Sequence, residues 1–575
     1  MLLKDAIKGY TLDQDKLISP TDTVIKFKAK IKEIGLNILE NTVRIDNGRL
    51  NIPVYFSICG PDSKSIIGTK KQMGKGATSE QAEASAVMEL AERYSFFSFC
   101  KNKKNFFIDT YRNLRDKAIS FDLLAKSVHD DSDEIKVIKE ILYDIPLKWT
   151  SAYNLTENKE LFIPFDWFFT INEFNGPSAG NCMEEAVCQG ICEIVERHVC
   201  ALISNNKISV PAISIESVKD LIAIELIKKY QKNNIKLFIS DFTLDMGIPT
   251  IGIAAYDPYN YPDTGEVVWT AGTTPNPNKA LIRALTETAQ LAGDFNTHSN
   301  YVASGLPKIK TIEEISYITN PNETISISSL TDIANINIKS EIQNCISALK
   351  NKGMEVIIID TTHPTLKIPA CYVIIPGAHF RERSLNTGVG MFTAKIIAEK
   401  QNPIDAIRYL KKIDQVLNNK YYIKFFLGYC HLNINEFEEA IKYFNQSADL
   451  NSNSQDTASI YSYMGLCFKE LGLYQEALNI LKKGEACDNE RTDIFNLMGY
   501  CYFKLKEHEN SIKCFNKVIE LNPSSAIDYA NIASNYRDMG KLDKAKFFYE
   551  TALEIDPTID FAKDNLEKLK QIVKT

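Results

Sequence analysis

The stretch 74-GKGATSEQAEASAVMELAER-93 joins a glycine-flanked lysine to a run of helical period in which Ser85, Glu89 and Glu92 fall at i, i+4 and i+7, one stripe of an α-helix. The opening has the outline of a phosphate loop, but Lys75 is followed by Gly76 instead of Ser or Thr, and Gly68 stands one position too far back for GxxxxGK. It is not a Walker A loop; Gly74 and Gly76 suit a tight turn or a close backbone approach ahead of the helix. Glutamates at helical spacing ordinarily mark a solvated face. Two more segments carry the same feature, however. In 185-EAVCQGICEIVER-197, Glu185, Gln189, Glu193 and Glu196 share one side, and 283-RALTETAQLAGDF-295 sets Glu287 and Gln290 at i and i+3. The stripes hold few lysines, and like charges at i,i+4 oppose helix formation by roughly 0.2–0.5 kcal/mol each. Divalent cations would neutralise them. Mg2+ takes oxygen ligands, usually one or two carboxylates plus substrate phosphates, so two such helices face to face predict a nucleotide site in which metal cradles the triphosphate.

The chain of 575 residues is too long for one core and predicts two to four domains. With a net charge of -7 and a pI near 5.7, its surface is not built mainly to hold nucleic acid or anionic lipid. No apolar run reaches the roughly 18 residues of a membrane span, and MLLKDAIKGY places charges at Lys4, Asp5 and Lys8 where a signal core would be apolar, so a cytoplasmic location is expected. The 13 cysteines form no CxxC pair, which fits reduced thiols.

From residue 421 the texture is periodic. Segments starting at 421, 458, 492 and 526 superpose, with small residues at Gly428, Gly465, Gly499 and Ala533 and again at Ala440, Ala477, Ser511 and Ala545. The unit resembles the 34-residue tetratricopeptide repeat (TPR), a helix hairpin with small residues where its helices touch; one longer step reflects a polar insertion, SNSQD at 452–456. Residues 560-DFAKDNLEKLKQIVK read as a cap helix. Before residue 396, runs such as 249-PTIGIAAY, 267-VVWTAGT, 354-MEVIIID and 369-PACYVIIPG alternate with helical stretches, as in a mixed α/β domain. The predicted division is 1–395 for that domain, 396–420 for a helical connector or partial repeat, and 421–575 for the array.

Two other groups invite chemistry. Cys182, Cys188, Cys192, His198 and Cys200 cluster in the manner of zinc ligands, against the commoner reading of buried reduced cysteine. His363 and His379 are acid/base candidates, against a structural role near strand ends.

The order 74-GKG, 85-SAVMELAER, 175-NGPSAGNCMEEAVCQGICEIVER and 286-TETAQ resembles the YcaO family over about residues 15 to 395. The resemblance implies an α/β (mixed α+β) nucleotide-binding domain that uses ATP and Mg2+, here followed by an all-α TPR solenoid. It implies that Glu89 and Glu193 share one Mg2+ and Glu92 and Glu196 another. Ser85, Ser178, Asn181, Glu185, Glu287 and Gln290 would line the nucleotide, with less specific contacts from Lys16 and Thr23 in 16-KLISPTDT. Gly180 would admit a close backbone, and Arg93 and Arg197 would brace the carboxylates. The third family motif usually reads ExxQxR, whereas this chain has Ala292 in place of the arginine. Arg283, nine residues before, lies on the opposite side of the helix from that position, so the resemblance implies either a cation from elsewhere, such as Arg381 or Arg383, or weakened turnover. No catalytic residue is assigned.

By resemblance the reaction is O-phosphorylation of a peptide or protein backbone amide, followed by attack of a nucleophile that the glutamate stripes do not select. An end in KLKQIVKT instead of a proline-rich tail favours a thioamide-type role, or an accessory role in ribosomal protein methylthiolation, over azoline formation by a cyclodehydratase. A nucleotide-binding scaffold is the alternative from another class. The repeats offer a groove for substrate or a partner such as a TfuA-like or sulfur-inserting protein; pairing into a homodimer is a family expectation, and neither nucleic acid nor membrane is expected as a partner.

Overall fold

The computed structural model describes residues 3–69, 71–132, 134–262, 267–292, 295, 306–307, 309, 311–380, 388–450 and 454–572. It divides into two compact units, Met1–Ser132 with Leu142–Gly388, and Asp133–Ile141 with Val389–Thr575.

In the first unit, three mostly antiparallel sheets each back one of the glutamate-bearing helices. The helix Ser79–Lys101 lies on the three-stranded sheet of Leu39–Arg44, Val54–Cys59 and Lys71–Lys75. The Thr78 side chain starts it by accepting from the Gln81 N–H. Gly74 explains how strand and helix come so close. A Cβ there would lie 2.1 Å from the Ala86 nitrogen and 2.5 Å from the Ala82 oxygen, both backbone atoms. The close approach anticipated for this glycine is therefore its function in the fold.

The helix Met183–Asn206 packs on Ala370–Ile374 and Pro177–Ala179, two strands of a six-stranded sheet that also contains Phe107–Asp109, Leu147–Asn154, Lys159–Pro164 and Ile357–Asp360. The helix Pro277–Ala292 packs on Val268–Thr273 and Thr250–Tyr256 of a five-stranded sheet. It starts with proline in its first turn and with the Asn276 side chain accepting from the N–H groups of Asn278 (2.9 Å) and Lys279 (3.2 Å). Thr250–Tyr256 is buried on both faces almost to its end, which is why it reads as a continuous apolar run without alternation. Ile251 and Ile253 meet Leu281 and Leu285 in one apolar cluster.

The second unit is a succession of helix pairs. Tyr421–Asn433 with Phe437–Leu450, Ser454–Glu470 with Tyr474–Cys487, Thr492–Lys504 with His508–Leu521, and Ala526–Asp538 with Leu542–Ile555 are followed by Asp560–Ile572. The repeating glycines sit where the paired helices touch. A Cβ on Gly428 would meet the Phe444 ring at 2.8 Å, one on Gly465 the Leu481 side chain at 2.4 Å, and one on Gly499 the Phe515 ring at 2.8 Å. The polar insertion lengthens a helix: Ser454–Glu470 has 17 residues against 13 for its counterparts in the other repeats. Asp456, within it, accepts from the Tyr421 hydroxyl at 2.6 Å.

Ahead of the first repeat stand Val389–Lys400 and Pro403–Val416, separated because Pro403 begins a new helix under an Asn402 cap. The unit also takes in most of the helix Glu134–Leu142 from the earlier part of the chain. Its Ile138 is buried near Gly390, and Glu134 pairs with Lys420.

Candidate functional site

The three helices bring their polar stripes together within the first unit. Ser79–Lys101 supplies Glu89 and Glu92, and Met183–Asn206 supplies Glu193 and Glu196. Each carries an arginine just after its second glutamate. Arg93 lies 3.4 Å from Glu92 and 4.0 Å from Glu89, and Arg197 lies 3.1 Å from Glu196 and 3.5 Å from Glu193. Glu193 also accepts from the Gly176 N–H at 3.4 Å, and Glu196 from the Thr273 N–H at 3.2 Å. Lys75, projecting between the two glycines of the opening motif, pairs with Glu287 of the third helix.

Burial sets the electrostatics of this place. Burial raises the Glu89 carboxyl above its usual range against the pull of Arg93 and Lys75, with Glu193 adding repulsion. Burial holds Glu92 well above that range, and both Glu193 and Glu89 push it further. Burial also lowers the Lys75 ammonium to about 7, with Arg283 and Arg197 acting in the same direction and Glu196 and Glu89 opposing.

The donor set fits Mg2+ in a particular way. Among the described residues no three His, Cys, Asp or Glu side chains close on one point as a protein-only metal cage would. All-oxygen carboxylate pairs from two facing helices are what an ion needs when phosphate oxygens and water complete its shell.

A cavity of about 250 Å³ in the same unit is lined by Thr23, Phe27, Met88, Gly180, Asn181 and Ile368, among others. Asn181 donates to the Thr23 hydroxyl oxygen at 3.0 Å, while its backbone N–H donates to Glu185 at 2.8 Å. Glu185 accepts from the Leu17 N–H as well, and with Lys16 and Gln189 it borders a second, smaller cavity. Ser85 is half-buried in the stripe of Glu89 and Glu92, and Gln290 is half-buried beside Glu287. Ser178 stands apart: fully buried, it donates to the Ala186 carbonyl at 2.7 Å and borders neither cavity.

The structure corrects the reading of Arg283. Its guanidinium faces the site, donating to Gln189 at 3.0 Å and lying 3.7 Å from Glu196. Measured from position 292 it is indeed on the far side of the helix, but Arg283, Glu287 and Gln290 fall at i, i+4 and i+7 and share a stripe. That spacing was the signal available in the sequence. Ala292 is buried in an apolar cluster with Ala289 and Leu291. Arg381 and Arg383 lie outside the described residues.

The five candidate zinc ligands are drawn to different places. Cys182 is the N-cap residue of the helix Met183–Asn206, Cys188 and Cys192 turn to each other and to Cys345, Cys200 lies near Glu196 and Arg197, and His198 joins His379 and His129. His363 accepts from the N–H groups of Thr365 and Leu366 through Nδ1 and so holds a turn. His379 stacks on His129 with centroids 3.7 Å apart, and its backbone N–H donates to His198 Nδ1 at 3.0 Å.

Burial and the neighbouring rings push His198 down to about 3 and His379 to about 4. Because the folded pKa values are depressed, their contribution to stability is full above the unfolded value of about 6.5 and is lost as pH falls towards 4, where the unfolded chain takes up protons that the folded rings refuse. His198 alone accounts for about 1.4 kcal/mol per pH unit in that interval. Thermal unfolding between pH 7 and 4.5 measures the slope, and His198→Gln should flatten it; an unchanged slope in that variant contradicts the account.

The family model described as YcaO cyclodehydratase, ATP- and Mg2+-binding, matches residues 73–379, more than half of the chain. The chain belongs to the YcaO family. Tetratricopeptide-repeat models match 421–454, 492–525 and 529–559, so this YcaO domain is followed by TPRs. An uncharacterized protein of Methanothermobacter thermautotrophicus is 25% identical over 63% of this chain and 94% of its own length. The Escherichia coli protein named ribosomal protein S12 methylthiotransferase accessory factor YcaO is 26% identical over 47% of this chain and 48% of its own. A solved structure titled heterocyclase in complex with substrate and cofactor shares the fold at a TM-score of 0.55, with 22% identity over 68% of this chain and 55% of that one. As a YcaO protein the chain falls in a family that binds ATP and Mg2+ and whose members are ATP-dependent enzymes. No helix among the described residues is long and apolar enough to cross a membrane.

Proposed function

We propose that this protein is an ATP- and Mg2+-dependent enzyme that activates a backbone amide of a peptide or protein by O-phosphorylation, in a thioamide-type modification or an accessory role in ribosomal protein methylthiolation. The observation that carries the reading is the pair of facing glutamate stripes, braced by Arg93 and Arg197, in which burial and mutual repulsion hold Glu89 and Glu92 above the usual carboxyl range. ATP supplies the phosphoryl group that makes the amide oxygen a leaving group, and Mg2+ offsets the charge that collects on it.

The residues divide the remaining work. Glu89 and Glu193 would hold one ion and Glu92 and Glu196 the other, with the arginines keeping the carboxylates aimed. The cavity at Thr23 and Asn181 suits a nucleoside: Phe27, Met88 and Ile368 offer an apolar wall to a base, and Thr23 and Asn181 offer polar groups to the sugar, with Glu185 holding the Asn181 N–H. Lys16, Ser85, Glu287 and Gln290 would complete the lining of the nucleotide. Ser178 supports the loop from behind through its bond to Ala186.

The TPRs recruit the substrate or a partner protein. Their groove includes a cavity of about 460 Å³ lined by Tyr463, Leu466, Arg491, Asn496 and Asp528, among others. A TfuA-like protein is one candidate, since a Rhizobium leguminosarum relative, 24% identical over 65% of this chain and 91% of its own, is described as a protein in the tfuA 3' region.

ATP hydrolysis by the purified protein, with and without Mg2+ and candidate peptides, tests the reading against Glu89→Gln. Mg2+-dependent turnover that the substitution abolishes is expected. Equal turnover in both proteins removes the site assignment, and nucleotide binding without turnover under any condition makes the protein a scaffold.

A further inference from the structure

The three guanidinium groups of the site are not equivalent. Arg93 and Arg197 each brace the two glutamates of their own helix. Arg283 comes from the third helix and reaches across to the second, where Nη1 donates to the Gln189 side chain at 3.0 Å. Its Nε is buried and makes no hydrogen bond; the Glu196 carboxylate is the nearby acceptor, at 3.7 Å, beyond hydrogen-bond distance. A buried donor left unspent costs free energy that a ligand oxygen can return. Glu196 is meanwhile held from other sides, by Arg197 at 3.1 Å and the Thr273 N–H at 3.2 Å, so the fork of Arg283 is not needed to keep it in place. Lys75 is engaged by Glu287, and Lys16 borders the smaller cavity on the side of Glu185. The far end of the third helix offers none, because Ala292 is buried among apolar side chains.

We propose that Arg283 is the cation that contacts the outermost phosphate of the bound nucleotide, supplying from the start of the helix stripe what position 292 lacks at its end. The inference rests on the reading of this site as one for ATP with Mg2+. A planar guanidinium with one donor fixed on Gln189 and another unspent presents a preset direction to a phosphate oxygen, which an ammonium cannot do.

Calorimetric titration of the full chain with a non-hydrolysable ATP analogue and with AMP, both in Mg2+, tests this without turnover. Arg283→Gln is expected to weaken the ATP analogue by about 10- to 100-fold, the range for a lost charge-assisted hydrogen bond, and to leave AMP within about twofold. Arg283→Lys, which keeps the charge without the fork, should fall between; it carries the comparison if the glutamine variant does not fold. An unchanged ratio of the two affinities in Arg283→Gln overturns the inference, as does an equal loss for both nucleotides, which would mean that Arg283 only shapes the site. A wild-type protein that binds neither nucleotide overturns the ATP reading itself.

Discussion

Glu193→Gln is expected to lower the proposed Mg2+-dependent ATP turnover by about 10²–10³-fold, on the scale of removing one preorganised electrostatic contact to a transition state. In the same variant the melting temperature measured without Mg2+ does not fall. The two outcomes have one cause. The charge of Glu193 acts on both Glu89 and Glu92, and it adds to the burial that holds their carboxyls above the usual range. An amide of the same shape removes that repulsion from the ion-free protein while leaving Arg197 its contact with Glu196 at 3.1 Å. On the proposed assignment, with Mg2+ present the same change would remove one oxygen ligand from the ion and a negative charge from its surroundings. Hydrolysis assays and unfolding curves recorded with and without Mg2+ check both halves. A variant that loses stability without Mg2+, or that keeps full turnover, would falsify the placement of Glu193 at the centre of the carboxylate cluster.

Gly74→Ala is expected to cost about 3 kcal/mol of stability, the upper end of what overpacking usually exacts, and Gly74→Val to prevent folding. The added Cβ would stand 2.1, 2.5 and 2.6 Å from the Ala86 nitrogen, the Ala82 oxygen and the Ala86 Cα. All three are backbone atoms inside a helix, so no side chain can swing away, and the strand Lys71–Lys75 must lift from the helix Ser79–Lys101. Lys75 would then leave its pairing with Glu287, and the variant that folds at all should bind nucleotide poorly. Gly68→Ala is the control. At φ +80 it has open space around its Cβ position, so it bears only the cost of about 1 kcal/mol for a left-handed backbone. Denaturant unfolding of both variants decides the matter; equal effects at the two glycines would mean that backbone conformation, not the close approach, explains Gly74.

Much of the site was legible because its signals are local. A helix places i, i+4 and i+7 on one side whatever surrounds it, so the stripes of Glu89 with Glu92 and of Glu193 with Glu196 could be read before any packing was known. The same holds for the repeats, where each glycine at the hairpin contact answers to an aromatic or leucine of its own pair. Misreading Arg283 came from choosing position 292 as the reference point, when the face that mattered was that of Glu287 and Gln290. Lys75 carried no sequence signal for its partner, since the strand it sits on and the helix of Glu287 are 200 residues apart and meet only in the folded unit.

By itself, then, the sequence determined the helices, their charged stripes, the strand runs and the repeat period, all of which follow from backbone geometry acting over a few residues. Tertiary structure alone decided which stripes face one another, that three separate sheets bring them together, and that the helix Glu134–Leu142 lends Ile138 to the second unit's core. These outcomes depend on contacts between residues far apart in the chain. An amphipathic helix specifies that its apolar side will be buried, but not what will bury it.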